Sequence, residues 1–122
     1  MKVVLLEVSH WHFPLYIDAL LASGVEIVGL SERDPEIRAR YASLFDCPGH
    51  LDWRELLKDT APDAAFAFGR HGEMPVIART LLDRRIAFAI EKPAGLDAAN
   101  VADLCQLAKT AGVPVAVPLV QR

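Results

Sequence analysis

Short apolar runs recur along this chain, each followed by a segment whose apolar residues return every three or four positions. That alternation constrains the fold more than any other feature. Runs of strand character span Val3 to Leu6, Glu26 to Leu30, Ala64 to Phe68, Ile86 to Ile90 and Val115 to Val120, and a short edge strand is expected near His50 and Leu51. Strands that are apolar without alternation are buried on both faces, as in a parallel sheet covered by helices. Strands separated by helical crossovers must be joined right-handedly across a face of the sheet. The expected fold is therefore α/β, a Rossmann-like, doubly wound and mainly parallel sheet of about six strands with helices on both faces.

The intervening segments carry helix punctuation. A first helix is expected from about Pro14 to a stop at Gly24. Asp34-Pro35 reads as an N-cap with Pro at the first helical position, and Ile37, Tyr41, Leu44 and Phe45 share one face. A brief helix runs from Asp52 to Lys58, with Trp53 a core aromatic. Met74 to Arg84 turns Ile77, Ala78, Leu81 and Leu82 inward. Asp97 caps a last helix carrying Val101, Leu104, Ala108 and Ala111, closed by Gly112.

At 122 residues, 52% of them hydrophobic, the chain fits one domain with a packed core. A net charge of −3 gives no footprint for nucleic acid, and Arg84-Arg85 is too short to form a basic stripe. No apolar run is long enough to cross a membrane. Glu7 comes too early for a secretory signal, so a cytoplasmic protein is expected. Cys47 and Cys105 have no metal-binding spacing, and Cys105 reads as a small core filler in a helix.

The chemistry-bearing triplet is Glu91-Lys92-Pro93, which closes the run Ile86 to Ile90. It places a cation at the carboxyl end of a buried strand, the edge where open α/β sheets bind ligands. A lysine there can hold charge on a substrate oxygen or exchange a proton with it. The alternative reading is a strand emerging into solvent, since charge and Pro also mark ordinary loop boundaries.

With this triplet, several stretches occur in a recognisable order: Ser31-Glu32-Arg33-Asp34-Pro35, Leu51-Asp52-Trp53-Arg54-Glu55-Leu56-Leu57 and Pro62-Asp63-Ala64. In this series the chain resembles the dinucleotide-binding half of the glucose–fructose oxidoreductase / inositol dehydrogenase (Gfo/Idh/MocA) family. The resemblance implies a dinucleotide-binding domain over residues 1–122, with the family's C-terminal substrate domain absent from this chain. It implies an NAD(P)-dependent oxidoreductase acting on a sugar, polyol or related alcohol. Lys92 would be catalytic, near nicotinamide and substrate, with Glu91 and Pro93 among the cofactor-binding residues, and the Lys92–Pro93 peptide is of the kind often cis in the family. Glu32, ending the second strand, would accept the adenosine ribose hydroxyls, favouring NAD, while Arg33 would stack on adenine or meet a 2′-phosphate.

Two stretches depart from the family pattern. In place of the glycine-rich phosphate loop stands Glu7-Val8-Ser9-His10-Trp11-His12. Glycines there make the turn, admit the pyrophosphate and let the helix pack on the strand. Glu7 would repel a pyrophosphate unless protonated or paired. Ser9, His10 and His12 could instead donate to phosphate, with Trp11 packed over the sheet edge between the histidines. After the fourth strand the chain reads Gly69-Arg70-His71-Gly72, where Arg70 and His71 could reach a ribose or phosphate and the glycines allow close approach. His10, His12, His50 and His71 with Glu7 raise a metal reading, but no third ligand is placed by spacing, and none is assigned. The competing functional readings are a non-catalytic module binding a small ligand or a partner, and a Rossmann-like scaffold for homo-oligomer assembly.

Overall fold

The structure is a computed structural model that describes residues 1–119. Six strands form one parallel sheet in the order β3-β2-β1-β4-β5-β6. They are β1 (Lys2–Leu6), β2 (Glu26–Ser31), β3 (Gly49–His50), β4 (Ala64–Ala67), β5 (Ala87–Ile90) and β6 (Val115–Ala116). The helices are α1 (Ile17–Ala22), α2 (Pro35–Phe45), α3 (Trp53–Asp59), α4 (Met74–Asp83) and α5 (Ala98–Ala111). Strand order reverses between β1 and β4, and the crevice beyond the carboxyl ends of strands at such a switch point is where doubly wound sheets hold ligands.

Alternate side chains of β1 feed two cores. Val4 and Leu6 join Trp53, Leu56, Ile77, Leu81 and Phe88 on one face. Val3 and Leu5 join Phe13, Leu30, Tyr41 and Phe68 on the other. Two N-caps behave as read: Asp34 accepts from the amides of Glu36 and Ile37, and Asp97 from that of Asn100. Gly112 closes α5 in the left-handed region at φ 66°.

Several expectations shift. The first helix opens as a 3-10 turn over Phe13–Tyr16 before α1. Leu44 is exposed, so α2 buries chiefly Tyr41, with Ile37 and Phe45 partly covered. On α5 only Leu104 is buried, and Val101 is exposed. Cys105 is not a core filler: it faces solvent on the outer side of the same helix. The last strand is limited to Val115–Ala116, flanked by Pro114 and Pro118, which have no amide to donate; Val120 lies outside the described residues. No described helix is long and apolar enough to cross a membrane.

Candidate functional site

The carboxyl ends of β1, β2, β4 and β5 deliver Glu7, Ser31-Glu32-Arg33, Gly69-Arg70-His71 and Glu91-Lys92-Pro93 to one edge of the sheet. Two groups form there, one beyond β2 and one beyond β5, joined by the loop from Glu7 to His12.

At the β2 side, Glu7 occupies the first position of the expected glycine pattern and keeps the turn a glycine would make, with φ 59°. Its carboxylate is buried. Glu7 Oε1 accepts from the Ser31 hydroxyl at 3.1 Å, and Ser31 Oγ accepts in turn from the Glu7 amide at 3.1 Å. Burial pushes the Glu7 carboxyl above its ordinary range; Glu32 and Glu73 add to the rise, while the Ser31 hydroxyl and Arg33 oppose it. Arg33 pairs with Glu73 across the crevice and lies 3.8 Å from Glu7. Glu73 Oε2 is buried without a hydrogen-bond partner among the described residues.

Glu32 is buried, and both its oxygens are in use: Oε2 accepts from the Ser9 amide at 2.7 Å and Oε1 from the Asp34 amide at 3.0 Å. It therefore ties the phosphate-loop position to the end of β2 from below. Other loop amides also have acceptors within the chain. The amide of Val8 donates to Ser31 O, that of His12 to His10 Nδ1, and that of Phe13 to His10 O. The amides of Glu7, Val8, Ser9, His12 and Phe13 are thus turned inward, away from a pyrophosphate position.

At the β5 side, Glu91 is fully buried, and its amide donates to Ala67 O of β4 at 2.9 Å. His12 Nδ1 lies 2.9 Å from Glu91 Oε1, and the Tyr16 hydroxyl donates to Oε2 at 2.7 Å. Burial alone would raise the Glu91 carboxyl; the Tyr16 and His12 hydrogen bonds outweigh it and hold the group below its ordinary value. Tyr16, facing that carboxylate from a partly desolvated position, is pushed well above the usual phenol range. The Lys92–Pro93 peptide is cis, and both residues are exposed. Lys92 Nζ sits 5.6 Å from the centre of the Trp11 ring, which is 73% exposed rather than packed on the sheet.

The His10 ring stacks beside Trp11 with 22° between planes. His10 Nδ1 accepts a backbone hydrogen bond, which requires the neutral Nε2–H form. Desolvation lowers its basicity accordingly; Glu91 opposes the effect, while His12, His71 and Lys92 add to it.

The expected site residues thus divide. His10, Trp11, His12, Glu91 and Lys92 come together at β5, and Glu32 and Arg33 gather with Glu7 at β2, with Ser9 joined to Glu32. Arg70 and His71 are exposed on the intervening loop. Gly69 serves packing: a Cβ there would meet Ile77 Cδ1 at 2.6 Å, so the close approach is by α4. His50 stays at the edge strand, 3.7 Å from Asp59. Among the described residues, no group of three or more His, Cys, Asp or Glu is arranged to hold a metal. Sequence reasoning missed Tyr16, Ser31 and Glu73. Tyr16 carried no local signal, since the carboxylate it meets lies 75 residues away in the chain.

Residues 11–119 match the family model described as an oxidoreductase family with an NAD-binding Rossmann fold. The chain belongs to the Gfo/Idh/MocA family. Solved structures with the same fold include a Gfo/Idh/MocA family oxidoreductase from Vibrio cholerae, at 21% identity and a TM-score of 0.84, covering 97% of this chain and 38% of that one. The WlbA dehydrogenase of Chromobacterium violaceum, in complex with NADH and UDP-GlcNAcA, has a TM-score of 0.86 at 17% identity, covering 97% of this chain and 34% of that one. Biliverdin reductase from Synechocystis, in complex with biliverdin and NADP+, has a TM-score of 0.85 at 19% identity, covering 95% of this chain and 37% of that one. No match was found among curated protein sequences. This Gfo/Idh/MocA chain spans about a third of the length of such structures, matching their NAD(P)-binding domain.

Proposed function

We propose that the chain is the nucleotide-binding part of an NAD(P)-dependent oxidoreductase acting on a sugar, polyol or related alcohol. The observation that carries this reading is the position of Lys92, exposed at the end of β5, one strand from the switch point, with its Nζ over the Trp11 ring. In its ammonium form Lys92 can stabilise the oxygen of an alcohol as its carbon gives up hydride, whereas taking the hydroxyl proton requires the neutral amine. When bound, the nicotinamide would supply the hydride acceptor. The structural neighbours add support, having been solved with NADH or NADP+.

The residues fit a dinucleotide unevenly. The β2 end offers the acidic Glu32, whose carboxylate has further lone pairs for ribose hydroxyls, and the β5 end offers Lys92 with its aromatic neighbour. Between them the fit is poorest. A pyrophosphate there meets the Glu7 carboxyl and amides already bonded to Glu32, Ser31 and His10. Titration of the chain with NADH and NADPH by fluorescence tests the cofactor reading; saturable binding supports it, and its absence up to millimolar concentration overturns it. Where turnover is measurable, Lys92→Met lowers it by roughly 10²–10⁴-fold with cofactor affinity nearly unchanged, as expected for loss of a general acid or base.

Those inward-turned amides favour a second reading, a binding module in which the former phosphate loop no longer grips a dinucleotide. Thermal-shift comparison of dinucleotides with sugar acids separates the two, because a specific ligand raises apparent stability by mass action.

A further inference from the structure

Trp11, His12, Glu91 and Lys92 close a ring of contacts. His12 follows Trp11 in the chain, and Lys92 follows Glu91. The His12 imidazole holds the Glu91 carboxylate at 2.9 Å, and Lys92 Nζ lies 5.6 Å from the Trp11 ring centre. Tyr16 donates a second hydrogen bond to the same carboxylate at 2.7 Å. Glu91 has no exposed surface and His12 is 5% exposed, so this node sits beneath the solvent-facing pair it supports.

We propose that His12 and Tyr16 are positioning residues that set Lys92 against Trp11 by clamping the Glu91 carboxylate from two sides. The functional meaning of the lysine rests on the oxidoreductase reading above, while the clamp itself is a property of the free chain. Glu91 is the residue that can transmit it. Its amide is pinned to β4 through Ala67 O, so once the carboxylate is also fixed, the residue has little freedom, and the direction in which Lys92 leaves β5 is set. His12 performs the same service for the other partner: the Trp11 and His12 ring centres are 3.6 Å apart, so the histidine orients the exposed indole as well. A glycine at position 12 could do neither. The substitution that removes the last loop glycine therefore installs the clamp.

A structural tie would also hold the loop to β5, and the two roles differ in what they predict for Lys92. With Lys92 Nζ 5.6 Å from the Trp11 ring centre, the neighbouring ε-methylene protons are expected to be shifted upfield by the indole ring current. Nuclear magnetic resonance of the folded, cofactor-free chain reads that shift together with the Trp11 indole N–H. In Tyr16→Phe and His12→Ala, the Lys92 protons are expected to move toward the values of an exposed lysine and the Trp11 resonance to shift. His12→Asn, whose amide N–H can replace the Nδ1 donor to Glu91, is expected to restore the Lys92 shift. Unmoved Lys92 and Trp11 resonances in folded Tyr16→Phe, which loses a single hydroxyl, would overturn the proposal even if His12→Ala fails to fold. Because no cofactor is present, this outcome is independent of the NADH and NADPH titrations that test the oxidoreductase reading.

Discussion

Glu7 combines an unfavourable backbone with an unfavourable charge. A non-glycine residue in the left-handed region costs on the order of 1–2 kcal/mol, and the buried carboxyl adds desolvation. Glu7→Gly relieves the backbone and removes the charge beneath the crevice, while losing the bond to Ser31. Dinucleotide affinity is expected to rise by about tenfold or more in that variant, a gain of at least ~1.4 kcal/mol measurable by NADH titration. The two buried carboxyls also imprint opposite pH dependences on stability. Glu91 is held below its ordinary value of 4.5, so its contribution is present above that pH and is lost as pH falls through the folded value. Glu7 is raised above 4.5, so its ionisation destabilises the fold as pH climbs from 4.5 through the raised value. Denaturant melts between pH 3 and 7 should show Glu91→Gln flattening the acid limb, whereas Glu7→Gln removes a decline on the upper side of the same range. The thiols give a simpler contrast. Cys105 is exposed, whereas burial, with the adjacent Asp46, pushes the half-buried Cys47 up to about 11. A thiol reagent at neutral pH should modify Cys105 rapidly and Cys47 slowly.

The elements were legible where local chemistry and burial agree. Asp34-Pro35, Asp97 and Gly112 punctuate their helices as read, and continuous apolar runs became strands at the centre of the sheet. Legibility failed where tertiary context decides. Nothing local distinguishes Leu104, which meets the core, from Val101 and Cys105, which do not; α5 packs through a narrower stripe than its composition allows. The site divided in the same way. Glu91-Lys92 could be placed from sequence because the strand end fixes it, whereas the use of Glu32 to hold the Ser9 amide and the clamp through Tyr16 depend on contacts between residues far apart in the chain. Packing across elements also gives a sharp expectation at Gly29 of β2. A Cβ there would meet Leu56 Cδ1 of α3 at 2.5 Å. Gly29→Ala should therefore destabilise by about 1–3 kcal/mol in urea unfolding, the range for overpacking, while Asp34→Ala costs about 1 kcal/mol through its cap.

Across the molecule, the two faces of the sheet are unequally covered. Ala67 lies in the core shared by α3, α4 and α5 with no exposed surface, whereas Phe66 and Ala89, paired on the opposite face, are partly open. A hydroxyl placed at each position tests the difference. Ala67→Ser buries a group with no ready partner and should cost about 1–3 kcal/mol, while Ala89→Ser should be close to neutral by the same measurement.

The sheet also ends abruptly on both sides. β3 and β6 contribute two residues each, and prolines stand on either side of Val115–Ala116. A foreign strand arriving at the β6 edge would find three residues between two prolines that cannot donate, and at the β3 edge a strand of two residues. The chain is thereby guarded against runaway strand addition, the route by which open sheets seed fibrils.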